Sequence, residues 1–317
     1  MNIRKSKVQV CTIQRPNSSL LWPEKLEPLG RFCNISPSNS ILFTEGLFLL
    51  DWKRFFDGLG MNGTHWQWRI MRWERDFKSL LKGQPTSGGS AISLSKLILV
   101  INLILFSLMV VQGTALGLGG RVLLAPPTQL LVHWGGQFWP LVQQQGEWWR
   151  CLTYAFTHGG ILHLGFNMMV LYQVGPLIES ELGKARFLVL YTLTAVTATL
   201  LGYFWHPMTP VVGASGSLFG LIGFAVAYYH RLGQPGRYIR DFMLRWAIFA
   251  FIFGLLVGAD NAGHLGGALG GAALGLIMPL RYRQGSPAAK LFNLLALACL
   301  GALGYSLIML ALSIAGA

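Results

Sequence analysis

Charge is what this sequence has least of. Only 12% of its 317 residues are Asp, Glu, Lys or Arg, against about 25% in an ordinary soluble domain. Hydrophobic residues make up 53%, and the mean hydropathy is +0.48. Such a chain cannot cover itself with polar surface, so a bilayer is its natural solvent. Acids are scarcer still, 12 against 25 Lys and Arg. The resulting net charge of +13 invites a nucleic-acid reading, but the distribution argues against it. Fourteen of the cations lie in residues 1–96, beside seven of the 12 acids. The other 11 sit in short clusters between apolar runs, the pattern of topology-setting charges rather than of a basic groove. Cysteine is also sparse. Cys11, Cys33, Cys151 and Cys299 are far apart, so neither a disulfide framework nor a metal site is implied, and no cofactor is expected.

Long uncharged runs are what the chain does have. Residues 97–120 lie between Lys96 and Arg121, and a bilayer-crossing helix needs about 20 residues. Residues 151–178 form a second run. Residues 187–230 are too long for one span and break at His206-Pro207-Met208-Thr209-Pro210. Residues 246–280 hold one charge, Asp260, in a tight link, and 291–317 form the last run. The spacing predicts seven spans, near 97–117, 150–178, 187–205, 215–230, 246–258, 262–280 and 291–315. Loop charges support the count. Lys184 and Arg186 follow the second span, Arg231 to Arg245 the fourth, and Arg281, Arg283 and Lys290 the sixth. These nine fall on the cytoplasmic side by the positive-inside rule, and only Arg121 and Arg150 fall opposite. The N-terminus is then cytoplasmic.

Two regions are read more openly. The loop 118–149 carries Trp134, Phe138, Trp139, Trp148 and, at its end, Trp149. It reads either as an aromatic belt at the outer interface or as a partly embedded loop shaping a lateral entrance. The first 23 residues are basic and acid-free, a weak transit-peptide likeness. Met61 and Met71 are alternative starts. Asn17, Asn34 and Asn62 stand in glycosylation-type tripeptides read as chance, and residues 64–82 as a basic helix lying on the membrane face.

Polar residues inside spans are costly, which makes them functional candidates. Here they gather at the outer ends of three helices. The second span brings His158, His163 and Asn167, the fourth begins Gly213-Ala214-Ser215-Gly216, and the sixth begins Gly263-His264-Leu265-Gly266-Gly267. A serine becomes a nucleophile when a base stands within roughly 3 Å. Gly263, Gly267, Gly271 and Gly275 recur at every fourth position, and Gly216, Gly220 and Gly223 face them from the fourth span. Small residues so spaced let membrane helices approach closely, which would put His264 against Ser215. Phe219, one turn below Ser215, is placed to support the imidazole face. His163 and Asn167 share a helix face and, with the Ser215 backbone N–H, suit a developing oxyanion, while Gly213 lets substrate backbone approach. Asp260 reads as a helix cap rather than a third catalytic member, and His206 and His230 as interfacial residues.

Taken together, Trp149-Arg150, His163-Leu164-Gly165-Phe166-Asn167, Gly213-Ala214-Ser215-Gly216 and Gly263-His264-Leu265-Gly266-Gly267 resemble the rhomboid intramembrane proteases over about residues 97–280. The resemblance implies an all-α, polytopic membrane helix bundle, a six-helix core plus one C-terminal helix. Domains would be an N-terminal cytoplasmic region over 1–95, the protease core over 96–283 and the extra transmembrane helix over 284–317. It implies a serine endopeptidase with Ser215 as nucleophile and His264 as general base, and an oxyanion site of His163, Asn167 and the Ser215 amide. Trp149-Arg150 would be structural. Its partners would be transmembrane protein substrates and membrane lipids, with no nucleic acid. A bacterial inner or plasma membrane is the expected location, the site facing the extracytoplasmic side. Two other classes compete. An inactive scaffold that binds membrane clients would usually lack Ser215 or His264. A transporter would show midplane charges or broken helices.

Overall fold

The computed structural model describes residues 93–280 and 286–316. The expectations for residues 1–92, with Cys11 and Cys33, and the loop cations Arg281 and Arg283 lie outside the described residues.

Among the described residues, seven helices have 17 residues or more. The first, α1, spans Leu94–Gly113 and runs into a π-helical turn at Thr114–Leu118. Short helices follow: α2 (Arg121–Leu124), α3 (Thr128–His133), α4 (Trp139–Gln144) and α5 (Arg150–Thr153). The remaining long helices are α6 (Ile161–Leu182), α7 (Lys184–Trp205), α8 (Ser215–Arg231), α9 (Arg237–Val257), α10 (Asn261–Ile277) and α11 (Pro287–Ala315). The architecture is an all-α helical membrane bundle. The α1 segment, α6, α7 and α11 are long and apolar enough to cross a membrane. The 17 residues of α8 and of α10 reach about 25 Å at 1.5 Å per residue, slightly less than a hydrocarbon core of about 30 Å. Among the described residues no strand forms, and the one isolated bridge joins Gln137 to Val211.

Helix ends follow local chemistry. Asp260 caps α10 by accepting from the Gly263 N–H at 2.8 Å, as its position predicts. Ser286 caps α11, accepting from Ala289 N–H at 3.2 Å, with Pro287 at the first helical position, where a missing N–H is harmless. The start of α1 is capped from a distance. Glu179 of α6 accepts from the Leu94 and Ser95 amides and from the Ser93 and Ser95 hydroxyls. That network satisfies a buried carboxylate and fixes α1 against α6.

Two expectations are corrected, and one open reading is narrowed. The second span does not begin near 150. Residues 150–156 form α5 and a 3-10 turn, and α6 starts at Ile161. The break lies at Gly160, whose φ of +134° strongly favours glycine, and a Cβ there would fall on the Leu124 carbonyl. The fifth span starts earlier, at Arg237, because its cations lie on the first turns of a continuous helix. Of the two readings of the loop 118–149, the structure disfavours the spread belt, because most of the loop's tryptophans pack inward. Trp134, Trp139 and Trp149 are buried, and of the loop's tryptophans Trp148 alone is exposed.

Arg150 explains the inward fold. Its guanidinium donates to the Val132 and Gly136 carbonyls, pairs with Glu147 and sits 4.3 Å over the Trp149 ring. Thr153 and Thr157 hydroxyls donate to the Gly135 and Trp134 carbonyls. Buried backbone oxygens need such donors, so the loop is held by the segment that follows it.

Candidate active site

Helix α10 lies between α7 and α8, and its glycines decide how closely. A Cβ on Gly267 would strike the Gly216 backbone, one on Gly271 the Gly220 carbonyl, and one on Gly275 the Phe224 carbonyl. From the other side, a Cβ on Gly223 would strike the Ala268 backbone. The two helices therefore touch backbone to backbone over three turns. At the top of this seam the turn bearing Ser215 meets the turn bearing His264: the Gly263 carbonyl lies 3.9 Å from a Gly216 Cβ position.

His264 is buried at 6% exposure. Phe219 of α8 stacks on its ring, with centroids 4.2 Å apart and planes 13° from parallel. Ser215 is half-buried at the first position of α8, where a backbone N–H has no intrahelical acceptor. No hydrogen bond joins the Ser215 hydroxyl to His264 in this conformation. Catalytic pairs are often long without substrate. Ser217 is excluded as a substitute, because it is fully buried and donates to the Tyr191 carbonyl at 2.9 Å.

The α6 residues arrive from another direction. Gly213 has a φ of +120°, and a Cβ there would lie 2.7 Å from both Cε1 and Nε2 of His163 and 3.7 Å from the Ser215 hydroxyl oxygen. Gly213 is thus the contact between the α6 histidine and the serine turn. It is anchored in turn by its N–H donating to the Tyr154 carbonyl at 2.9 Å, and the Tyr154 hydroxyl donates to Ala195 of α7.

Tautomers follow from partners. The Gly159 N–H donates to His163 Nδ1 at 3.2 Å. A neutral ring accepting at Nδ1 carries its proton on Nε2, the nitrogen beside Gly213. His264 is bonded the other way: its Nδ1 lies 3.2 Å from Asn261 Oδ1. Asn167 donates one of its two N–H groups back to the His163 carbonyl at 2.9 Å, which leaves the second N–H. His158 is fully buried, its ring edge-on to His163 at 5.2 Å.

One sequence expectation is extended here, and one residue joins the site that the motifs do not mark. His206 is not merely interfacial, because its Nε2 pairs with Asp260 Oδ1 at 2.7 Å. Asn261 is the residue outside the motifs. The His206 pairing is a fold contact that no motif signals, whereas Asn261 stands three residues before His264, a spacing that puts both on one helix face. Cys151 and Cys299 are buried free thiols, and no His, Cys, Asp or Glu cluster among the described residues could hold a metal.

Comparison with known proteins supplies the family. The model of the Rhomboid domain matches residues 145–281. The putative rhomboid protease YdcA of Bacillus subtilis is 35% identical over 137 residues, 42% of this chain and 68% of that protein. The chain belongs to the rhomboid family. The rhomboid protease GluP of Bacillus subtilis is 38% identical over 157 residues, 47% of this chain but only 30% of GluP. The inactive RHOMBOID-like protein 8 of Arabidopsis thaliana is 30% identical over 148 residues, 46% of this chain and 42% of that protein. The match to this rhomboid chain thus covers less than half the length of the last two relatives.

Proposed function

We propose that this chain is an intramembrane serine endopeptidase that hydrolyses peptide bonds in or near transmembrane segments of other membrane proteins. The observation that carries the proposal is the convergence at Gly213, where His163 and the Ser215 hydroxyl approach one point while His264 packs against the same helix. Ser215 attacks the scissile carbonyl as its proton passes to Nε2 of His264. The carbonyl oxygen becomes an oxyanion facing the Ser215 N–H, the His163 Nε2–H and the remaining Asn167 N–H. Collapse expels the amine, which takes the proton from His264. Water activated by the same base then hydrolyses the acyl-enzyme. The α8 N-terminus adds a favourable dipole for the anion. A Ser/His pair suffices for this scheme, with Asp260 serving the helix rather than the base.

A reading as a non-cleaving client binder has one support, the relative named inactive. The presence of both Ser215 and His264 favours hydrolysis. Cleavage of a model transmembrane substrate, together with fluorophosphonate labelling, decides between them. Ser215→Ala and His264→Ala should each abolish cleavage without unfolding the protein, and normal turnover by Ser215→Ala would end the proposal.

The protease core is assigned to residues 96–283, the extra helix to 284–317 and a separate cytoplasmic region to 1–95. The charge segregation supports a site on the extracytoplasmic side; the location assigned is a bacterial inner or plasma membrane, and the partners are lipids and transmembrane substrates. A reporter fused after Ala317 should then be extracytoplasmic and one after Arg283 cytoplasmic. Both on one side would remove the seventh span.

A further inference from the structure

Proximity to serine does not make His264 a base. A neutral imidazole has one proton, and the ring accepts at Nε2 only when that proton sits on Nδ1. Some group must therefore hold it there. Across the first turn of α10, His264 Nδ1 lies 3.2 Å from Asn261 Oδ1. An amide oxygen only accepts, so this contact requires the proton on Nδ1. The oxygen is itself seated. A Cβ on Gly254 of α9 would lie 2.7 Å from Asn261 Oδ1, so the amide occupies space that only a glycine leaves. The turn is fixed as well: Asp260 accepts the Gly263 N–H with its side chain and the His264 N–H with its backbone carbonyl, and His206 grips the same carboxylate.

We infer that Asn261 is the positioning residue of this site: its amide oxygen, seated over Gly254, holds His264 as the Nδ1–H tautomer and leaves Nε2 open to the Ser215 proton. The inference rests on the Ser215/His264 reading. It assigns to a neutral side chain the orienting part that a carboxylate plays in a Ser-His-Asp triad. A neutral acceptor orients the ring without placing a second charge among apolar helices.

The test uses the full chain in detergent and separates the two claims. Nitrogen-15 histidine spectra are recorded on the Ser215→Ala protein, with the His264 signals identified by their loss in His264→Gln. The expected state is Nδ1–H. Asn261→Leu should move it toward Nε2–H, and Gly254→Ala should do so with Asn261 still present. In the Ser215 protein, Asn261→Leu should lower kcat about tenfold, the scale of one neutral hydrogen bond, with KM changed by less than about twofold. Asn261→Asp keeps an acceptor and should restore most of kcat. An Nε2–H ring in the parent, or a tautomer indifferent to both variants, overturns the inference even if Ser215→Ala is inactive. Cleavage by Ser215→Ala would instead sink the dyad reading.

Discussion

The proposed serine–base half and the proposed oxyanion half of the site meet at Gly213, and they are held in place by different forces. Ser215 and His264 are positioned by α8 and α10, whose backbones touch at Gly216/Gly267, Gly220/Gly271 and Phe224/Gly275. His163 and Asn167 sit on the first turns of α6, and their positions depend on hydrogen bonds from Gly159 and to the His163 carbonyl. Lipid is as apolar as leucine, so the α8–α10 seam owes its strength to van der Waals contact and not to a hydrophobic drive. A backbone contact admits no rotamer that would relieve a new atom. A hydrogen-bonded side chain can lose one partner and keep its helix. The seam should thus fail abruptly, taking stability and chemistry together, whereas the α6 half should lose chemistry alone.

The sharpest way to break that contrast is Gly271→Val. Its first added atom would meet the Gly220 carbonyl, and neither helix has a side chain there to rotate. Overpacking a tight interface destabilises by typically about 1–3 kcal/mol, and backbone contact places this site at the upper end. A shift of about 1 Å in reacting groups can slow a reaction on the order of 100-fold. The variant should therefore lower the unfolding temperature and cleave at least on the order of 100-fold more slowly, although Gly271 has no chemical part. Wild-type unfolding and wild-type cleavage together would show that the seam does not position the dyad.

Much of this contrast is legible in the sequence, because spacing carries it. Glycines four apart share a helix face, so the Gly263 to Gly275 series announces a close approach before any partner is known. The same holds for Phe219, one turn from Ser215, which stacks on His264. The apolar runs likewise mark the long helices, because bilayer thickness fixes their length. What spacing does not carry is a contact set by loops or rotamers. His206 and Asp260 are 54 positions apart, and nothing in either segment names the other. The start of α6 is not legible, because residues 151–160 are as uncharged as a span. Only the positive φ of Gly160 and its approach to Leu124 reveal the break. The aromatic loop admits two readings from sequence because hydropathy cannot distinguish a tryptophan facing lipid from one buried under Arg150.

On the α6 half, Asn167→Ala should lower turnover by roughly 10- to 1000-fold, the range for loss of one oxyanion donor. Its bond to the His163 carbonyl is an i to i−4 contact added to an already formed helix, so the unfolding temperature should change little. Kinetics with a model substrate and thermal unfolding in one detergent would check both parts. A rise in KM with unchanged kcat would mean that Asn167 positions substrate only. A large drop in stability would mean that the two halves do not differ as described.

The smallest effect, and the most discriminating, belongs to Gly270→Val. By helical periodicity Gly270 is turned about 100° from Gly271, away from the seam, which predicts a mild substitution. The structure corrects the reason and part of the outcome. Gly270 is half-buried against α7, and a Cβ there would meet Thr197, at 2.9 Å from its Cβ and Cγ2 and closer still to its hydroxyl. That hydroxyl donates to the Thr194 carbonyl at 3.2 Å. Threonine in a helix has two usable rotamers, so the hydroxyl and methyl can move, but the Thr197 Cβ cannot. Helices α7 and α10 must separate by a few tenths of an ångström. Gly270→Val should therefore lower the unfolding temperature measurably but by less than Gly271→Val. The α8–α10 seam is untouched, so kcat of the folded protein should stay within a few-fold of wild type. Thermal unfolding and cleavage measured beside Gly271→Val give the comparison. If Gly270→Val loses as much cleavage as Gly271→Val at equal folded fraction, the α7 face positions His264 as firmly as the α8 face, and the special standing of the seam is lost.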